Sequence, residues 1–184
     1  MELRRSLRLF WYRSDRETWV FIAIIVGLLT TFAVVLVGAV AYQEERRQRA
    51  KEVHRQNVAC LARNIYYEAR GEPLAGQYAV AEVTMNRKAS RHFPRTVCEV
   101  VYQKNWDPIR KRHVGAFSWT EFDAVPEPVG DEWVRALAIA EAVYYRRHLP
   151  AVHGALFYHA NYIKPSWAKE KRPVARIGRH IFYR

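Results

Sequence analysis

The chain has 184 residues and a formal net charge of +12, with half of its residues hydrophobic. That suffices for one domain with its own core beside an apolar anchor. The basic excess suits anionic partners: nucleic acid, lipid headgroups or an acidic wall polymer. No zinc-finger, RNP or helix-turn-helix pattern is present, so no nucleic-acid partner is expected.

In chain order, Trp19 to Tyr42 carries no charged residue and is rich in Val, Ile, Leu, Phe and Ala. As a helix this run rises roughly 36 Å, enough to cross a bilayer with some tilt, and it predicts one transmembrane helix over residues 19–42. It has no polar face to meet water, which argues against a core helix of a soluble protein. Ala39-Val40-Ala41 resembles a signal-peptidase site. The apolar run, however, exceeds a signal h-region of about 7–15 residues, so an uncleaved anchor is expected. Arg4, Arg5, Arg8, Arg13 and Arg16 precede the span, and Arg46, Arg47, Arg49, Lys51 and Arg55 follow it closely. The positive-inside rule therefore chooses no orientation. Residues 1–18 read as a cytoplasmic tail, 43–57 as a charged stalk and 58–184 as the domain.

Within that domain, Val58, Leu61, Ala62, Ile65 and Ala69 recur at helical spacing and predict a helix over 54–70. Gly71 stands where a left-handed terminating residue belongs, with Pro73 beyond it. A second, mostly apolar helix is predicted over 74–89. Thr96-Val97-Cys98-Glu99 has the form of a capping box and opens a short helix to about Gln103. Residues 104–130, with prolines, glycines and scattered aromatics, read as a long ordered loop. Trp133, Leu137, Ala140 and Tyr144 mark a helix over 131–148. The stretches 155–160 and 179–183 are aromatic and β-prone. The expected fold is mainly α, with a minor β component.

Glu68 is the residue on which chemistry converges. It lies in the last turn of the predicted first helix, where the partial negative charge of the helix end disfavours a second one. Tyr66 and Tyr67 can dry and orient its carboxyl group, and Glu72, four residues on, would add like-charge repulsion. A carboxyl group that keeps its proton near neutral pH is what a general acid for glycoside cleavage needs. Such cleavage usually employs two carboxyl groups. Glu72, Asp107, Glu121 and Asp123 are available, yet no spacing singles out a partner. One acid suffices if the sugar's own 6-hydroxyl attacks the anomeric carbon, which is lytic transglycosylation.

Other chemistries lack their patterns. There is no His-Glu-x-x-His or Cys-x-x-Cys spacing, so no metal is expected, and no P-loop, Gly-x-Ser-x-Gly or dinucleotide fingerprint, so no cofactor is expected. Tyr158, Tyr162, Trp167 and Trp119 could stack on sugars, although such aromatics more commonly belong to a core. Cys60 and Cys98 alone leave buried thiols and a disulfide both open. Beside an anchor and a glycan-cleaving site, the disulfide is expected.

Several stretches together resemble the SleB-type cell wall hydrolases, the family that includes the spore cortex-lytic enzymes. They are Ile65-Tyr66-Tyr67-Glu68-Ala69-Arg70-Gly71-Glu72, Gly76 to Val83, Asn86-Arg87, Phe93 to Cys98 and Val101-Tyr102-Gln103. Phe117-Ser118-Trp119, Tyr158 to Tyr162, Pro165 to Ala168 and Ile177 to Tyr183 follow in family order. The resemblance implies a small lysozyme-like domain acting on peptidoglycan, with Glu68 as catalytic acid/base and cleavage between N-acetylmuramic acid and N-acetylglucosamine. Tyr67, Glu72, Gln77, Ser118, Tyr158 and Asn161 are expected to contact substrate. Two departures stand out. Leu156-Phe157 occupy the place of Thr-His in many members, and Glu121 that of a cysteine. The whole reads as a single-pass protein of the bacterial inner membrane with its domain on the cell-wall side. Its partner would be peptidoglycan. The rival readings are hydrolysis by water with a second carboxylate, and an inactive peptidoglycan-binding scaffold.

Overall fold

The computed structural model describes residues 16–108 and 110–184; the expectations for residues 1–15 lie outside them. The chain divides into two compact units between Lys51 and Glu52. The helix α1, Arg16–Ala69, is continuous through the predicted span and stalk, where a separate helix from residue 54 was expected. Among the described residues it alone is long and apolar enough to cross a membrane. Thr30 and Thr31 donate their hydroxyl protons to backbone carbonyls at Gly27 and Leu28, so neither threonine hydroxyl in the apolar run is idle. The charged stretch stays helical because its side chains pair at one-turn spacing: Gln48 with Glu44, Arg49 with Glu45, and Arg55 and Gln56 with Glu52. Each such pair stabilises a helix by about 0.2–0.5 kcal/mol.

In the second unit the end of α1 packs on α2, Leu74–Ala89, and on α4, Gly130–Tyr144. Val58, Leu61, Ala62 and Ile65 of α1 join Ala81 of α2 and Ala136, Ile139, Ala140 and Val143 of α4 in one core. The short α3, Val97–Val101, opens with the predicted capping box, both of whose hydrogen bonds form at Thr96 and Glu99. Asn57, buried in α1, accepts the Val97 backbone N–H at 2.7 Å, and a Cys60–Cys98 disulfide joins the same two helices.

Residues 104–130 are more regular than expected. Strands β1, Lys104–Asp107, and β2, Arg112–Gly115, form an antiparallel hairpin followed by a 3-10 helix, Ser118–Glu121. The hairpin is exposed along most of both strands, so no alternation of apolar and polar residues announces it. Gly115 is required there, since a Cβ would come within 2.2 Å of Thr120 Oγ1 and 2.9 Å of the Phe117 carbonyl.

The C-terminal sheet has the antiparallel order β3–β5–β4: β3, Phe157–Ala160; β4, Pro173–Ile177; β5, His180–Tyr183. Strand β4 was not anticipated, because it begins on a proline and lies at the sheet edge, where a missing N–H is tolerated. Phe182, fully buried, anchors the sheet against Ala79 and Val83 of α2.

Two helix ends differ from expectation. Gly71 does not adopt the left-handed conformation; the glycines that do are Gly130, Gly154 and Gly178. Helix α4 stops at Tyr144 rather than near His148, because Arg146 turns left-handed at φ 55°. Gly178, at φ 55°, forms the β4–β5 turn against Glu72, and a Cβ there would lie 2.2 Å from Glu72 Oε2. Gly178→Ala is therefore expected to lose about 1–3 kcal/mol of stability in urea unfolding, through left-handed strain and displacement of Glu72.

Candidate active site

Three elements converge on the Glu68 carboxyl group. Glu68 lies in the last turn of α1 and is half-buried. Tyr158, in β3, donates its hydroxyl to Glu68 Oε2 at 3.1 Å, and Ser118, opening the 3-10 helix, donates its hydroxyl to Oε1 at 3.3 Å. Glu68 forms no ion pair among the described residues. Burial raises its pKa, against the hydrogen bonds from Tyr158 and Ser118 and the positive charge of Arg87, all of which favour the carboxylate. Burial wins, and the group is biased towards its protonated form. Burial also holds the proton on Tyr158, reinforced by the nearby Glu68 charge.

Beside this group lies a cleft of about 330 Å³, walled by Tyr67, Arg70, Ser118, Trp119, Phe122 and Val125 among others. Ser118 joins it to Glu68. Tyr67 stacks on Trp119 with ring centroids 4.5 Å apart and donates its hydroxyl to the Pro126 carbonyl at 2.5 Å. Trp119 is itself fixed from behind, its Nε1–H donated to Asn64 Oδ1 at 3.0 Å, while Asn64 Nδ2 donates to Thr84 Oγ1 at 3.1 Å. A larger cavity of about 530 Å³ elsewhere shares no lining residue with this cleft.

The cleft walls contain no carboxylate. Of the candidate partners for Glu68, Glu121 pairs with Arg112 at 2.8 Å and Asp107 with Arg110 at 3.6 Å. Asp123 is exposed.

The expectation for Glu72 needs correction. Its buried carboxylate accepts the Arg179 backbone N–H at 2.8 Å and Arg179 Nε at 2.7 Å. Burial alone would raise its pKa, but the Arg179 bonds and the neighbouring His180 outweigh that and hold it below the usual range. Glu72 therefore clamps the β4–β5 turn to the end of α1, and its paired carboxylate is not among the causes of the Glu68 shift. Gln77 is likewise buried, donating to the Glu72 carbonyl at 3.0 Å, away from the cleft. Asn161 is half-buried and donates its backbone N–H to the Arg179 carbonyl at 2.7 Å. Of the expected contacts, the structure thus gathers Tyr67, Ser118 and Tyr158 about Glu68 and leaves Glu72, Gln77 and Asn161 outside.

Arg87 was not singled out. It is buried in α2, donates Nε–H to the Leu156 carbonyl at 2.7 Å, and lies over the rings of Phe117, Phe93 and Phe157 at 5.1, 5.4 and 5.9 Å. Its spacing from Val80, Val83 and Thr84 on the buried face of α2 was the available signal.

A comparison with known families matches residues 71–183 to the family described as Cell Wall Hydrolase. The chain belongs to the cell wall hydrolase family. The match begins just beyond Glu68. Among curated relatives, the spore cortex-lytic enzyme of Oceanobacillus iheyensis is 32% identical over 134 residues, covering 68% of this chain and 41% of its own length. That of Bacillus subtilis is 30% identical over 128 residues, covering 68% and 37%. The chain thus spans about two fifths of the length of these relatives. Two solved catalytic domains share the fold of this cell wall hydrolase. That of the Bacillus cereus SleB protein is 28% identical, covers 70% of this chain and 91% of its own, and has a TM-score of 0.51. That of the germination-specific lytic transglycosylase SleB from Bacillus anthracis is 27% identical, with coverage of 70% and 93% and a TM-score of 0.53.

Removing the Tyr158 hydroxyl removes a donor that favours the Glu68 carboxylate. Tyr158→Phe is expected to raise the Glu68 pKa further and to move the alkaline limb of the pH–rate profile upward. A limb that stays in place or falls would show that this hydroxyl does not act on Glu68.

Proposed function

We propose that this cell wall hydrolase is a membrane-anchored enzyme that cuts peptidoglycan strands between N-acetylmuramic acid and N-acetylglucosamine by lytic transglycosylation. The observation that carries the reading is a solitary carboxyl group, Glu68, biased to hold its proton beside an aromatic-walled cleft free of other carboxylates. The Glu68 carboxyl donates its proton to the glycosidic oxygen as the bond from the anomeric carbon to that oxygen breaks. The resulting carboxylate takes the proton of the 6-hydroxyl, whose oxygen bonds to the anomeric carbon. The 1,6-anhydro sugar forms without water, and Glu68 regains its proton. Tyr158 and Ser118 hold the two carboxyl oxygens in place, and Tyr67 and Trp119 give the cleft an apolar wall for sugar faces. The apolar run of α1 supports single-pass anchoring in the inner membrane, with the domain on the wall side, where the Cys60–Cys98 disulfide is stable.

Glu68→Gln tests the reading. In the full chain, solubilised in detergent, the substitution is expected to abolish release of fragments from isolated sacculi, by at least about 10²-fold. The native protein should leave anhydro-muramic ends by mass spectrometry. Reducing ends would instead indicate attack by water, and lysis by the Glu68→Gln variant would remove Glu68 from the chemistry. Stability should move the other way. A carboxyl whose folded pKa is raised contributes fully below its unfolded pKa and loses that contribution as pH rises through the folded value. The neutral glutamine is therefore expected to melt at the same or a higher temperature than the native protein at pH 8, in a thermal scan.

A further inference from the structure

We propose that the cavity of about 530 Å³ on the far side of α2 binds the carboxylate end of a short peptide, at a site separate from the Glu68 cleft. Its volume is within the range of about 300–1,000 Å³ typical of small-ligand sites. Glu82, Met85, Asn86 and Ala89 of α2, spaced to form one helix face, line it, whereas Val80, Val83, Thr84 and Arg87 belong to the neighbouring face.

The lining is cationic and its cations are uncommitted. Lys88, Arg95 and Arg146 make no ion pair among the described residues. Lys88 only approaches the Tyr144 ring, at 5.4 Å. The single acid in the wall, Glu82, is fully engaged: its oxygens accept the Ala151 and Val152 backbone N–H groups at 3.0 Å, and His148 Nε2 lies 3.2 Å from Oε1. His148 is thus held within the wall, against Glu82 on one side and stacked on Tyr78 with ring centroids 5.7 Å apart.

Arg146 adds a second line of argument. It occupies the left-handed position just past α4, with Arg146 N–H donated to the Val143 carbonyl at 3.1 Å and Arg147 N–H to the Ala142 carbonyl at 2.7 Å. That is a Schellman motif, whose left-handed residue is ordinarily glycine. An arginine here accepts backbone strain and lines the cavity with its side chain. Met85, Val143 and Pro150 supply an apolar lining between the charges. A peptide of small apolar residues ending in a carboxylate matches both the cations and this apolar lining. If the chain cuts peptidoglycan, that peptide is the stem borne by the strand; this assignment of the source rests on the proposed function, whereas recognition of a carboxylate-ended peptide does not.

The test is calorimetric titration of the full chain in detergent with a synthetic wall-stem tetrapeptide, either with a free C-terminal carboxylate or C-terminally amidated. The free acid should bind and the amide bind about tenfold more weakly, the effect of one charge-assisted hydrogen bond. Arg146→Gly should weaken binding of the free acid about tenfold without lowering the melting temperature, because glycine suits the left-handed position better than arginine. Glu68→Gln should bind the peptide as the native protein does. Equal binding of acid and amide, displacement by inorganic phosphate at the peptide's own concentration, or unchanged binding by Arg146→Gly would overturn the site. Absent peptide binding with Glu68-dependent lysis retained would overturn this site alone. Peptide binding without lysis by the native protein would overturn the proposed reaction alone.

Discussion

Burial of one carboxyl group without a counter-ion is the constraint around which this domain is arranged. Glu68 and Glu72 are four residues apart, yet their environments drive them in opposite directions. Glu72 meets a guanidinium and a backbone N–H and is held ionised. Glu68 meets two neutral hydroxyls, which orient both of its oxygens without contributing a full charge. Desolvation therefore prevails at Glu68 and loses at Glu72. Transferring the Arg179 guanidinium from one to the other would erase the difference.

Holding that arrangement requires three distant segments to arrive together, and polar ties do much of the placing. Asn64 sits one turn before Glu68 in α1 and grips Trp119, the residue after Ser118, so one buried amide sets the 3-10 helix against the helix end. Glu72 performs the equivalent task for the sheet. It clamps Arg179 in the β4–β5 turn; β5 pairs with β3, with Phe182 opposite Tyr158, and β3 thereby brings the Tyr158 hydroxyl to Glu68. The second glutamate of the motif is thus tied to the first through the sheet. Below them Asn57 and the Cys60–Cys98 disulfide fasten α3 to the same helix.

What was legible in the amino-acid sequence follows from which interactions are local. The mostly apolar run of α2 and the capping box of α3 are read within a few turns, and the structure keeps them at Leu74–Ala89 and Val97–Val101. Glu68 was legible because a helix end and its flanking tyrosines are adjacent in the chain. Its actual partners lie fifty and ninety residues away: Ser118 entered only through the motif resemblance, and Tyr158 otherwise only as one of several aromatics. The hairpin at 104–115 was illegible since its faces do not alternate in burial, and β4 because it starts with proline at an edge. Glu72 misled for a related reason: helical spacing placed it near Glu68, but the helix ends at Ala69 and the chain turns it towards Arg179.

Arg87 shows how a cation can serve such a site without disabling it. In direct contact it would hold Glu68 ionised, as Arg179 holds Glu72, and the acid would be lost. It instead lies among three phenylalanine rings, whose negative faces offset part of its desolvation, with Nε–H tied to the Leu156 carbonyl. Leu156 and Phe157 together suit this role. The carbonyl at 156 is available from any side chain, and Phe157 brings a ring face to the guanidinium. At that remove the positive charge lowers the Glu68 pKa by less than burial raises it. In the proposed reaction it would still act on the carboxylate left once the proton has moved to the leaving oxygen. Charge developing there would then be met by a fixed cation already desolvated in the folded state, whose cost does not recur at each turnover.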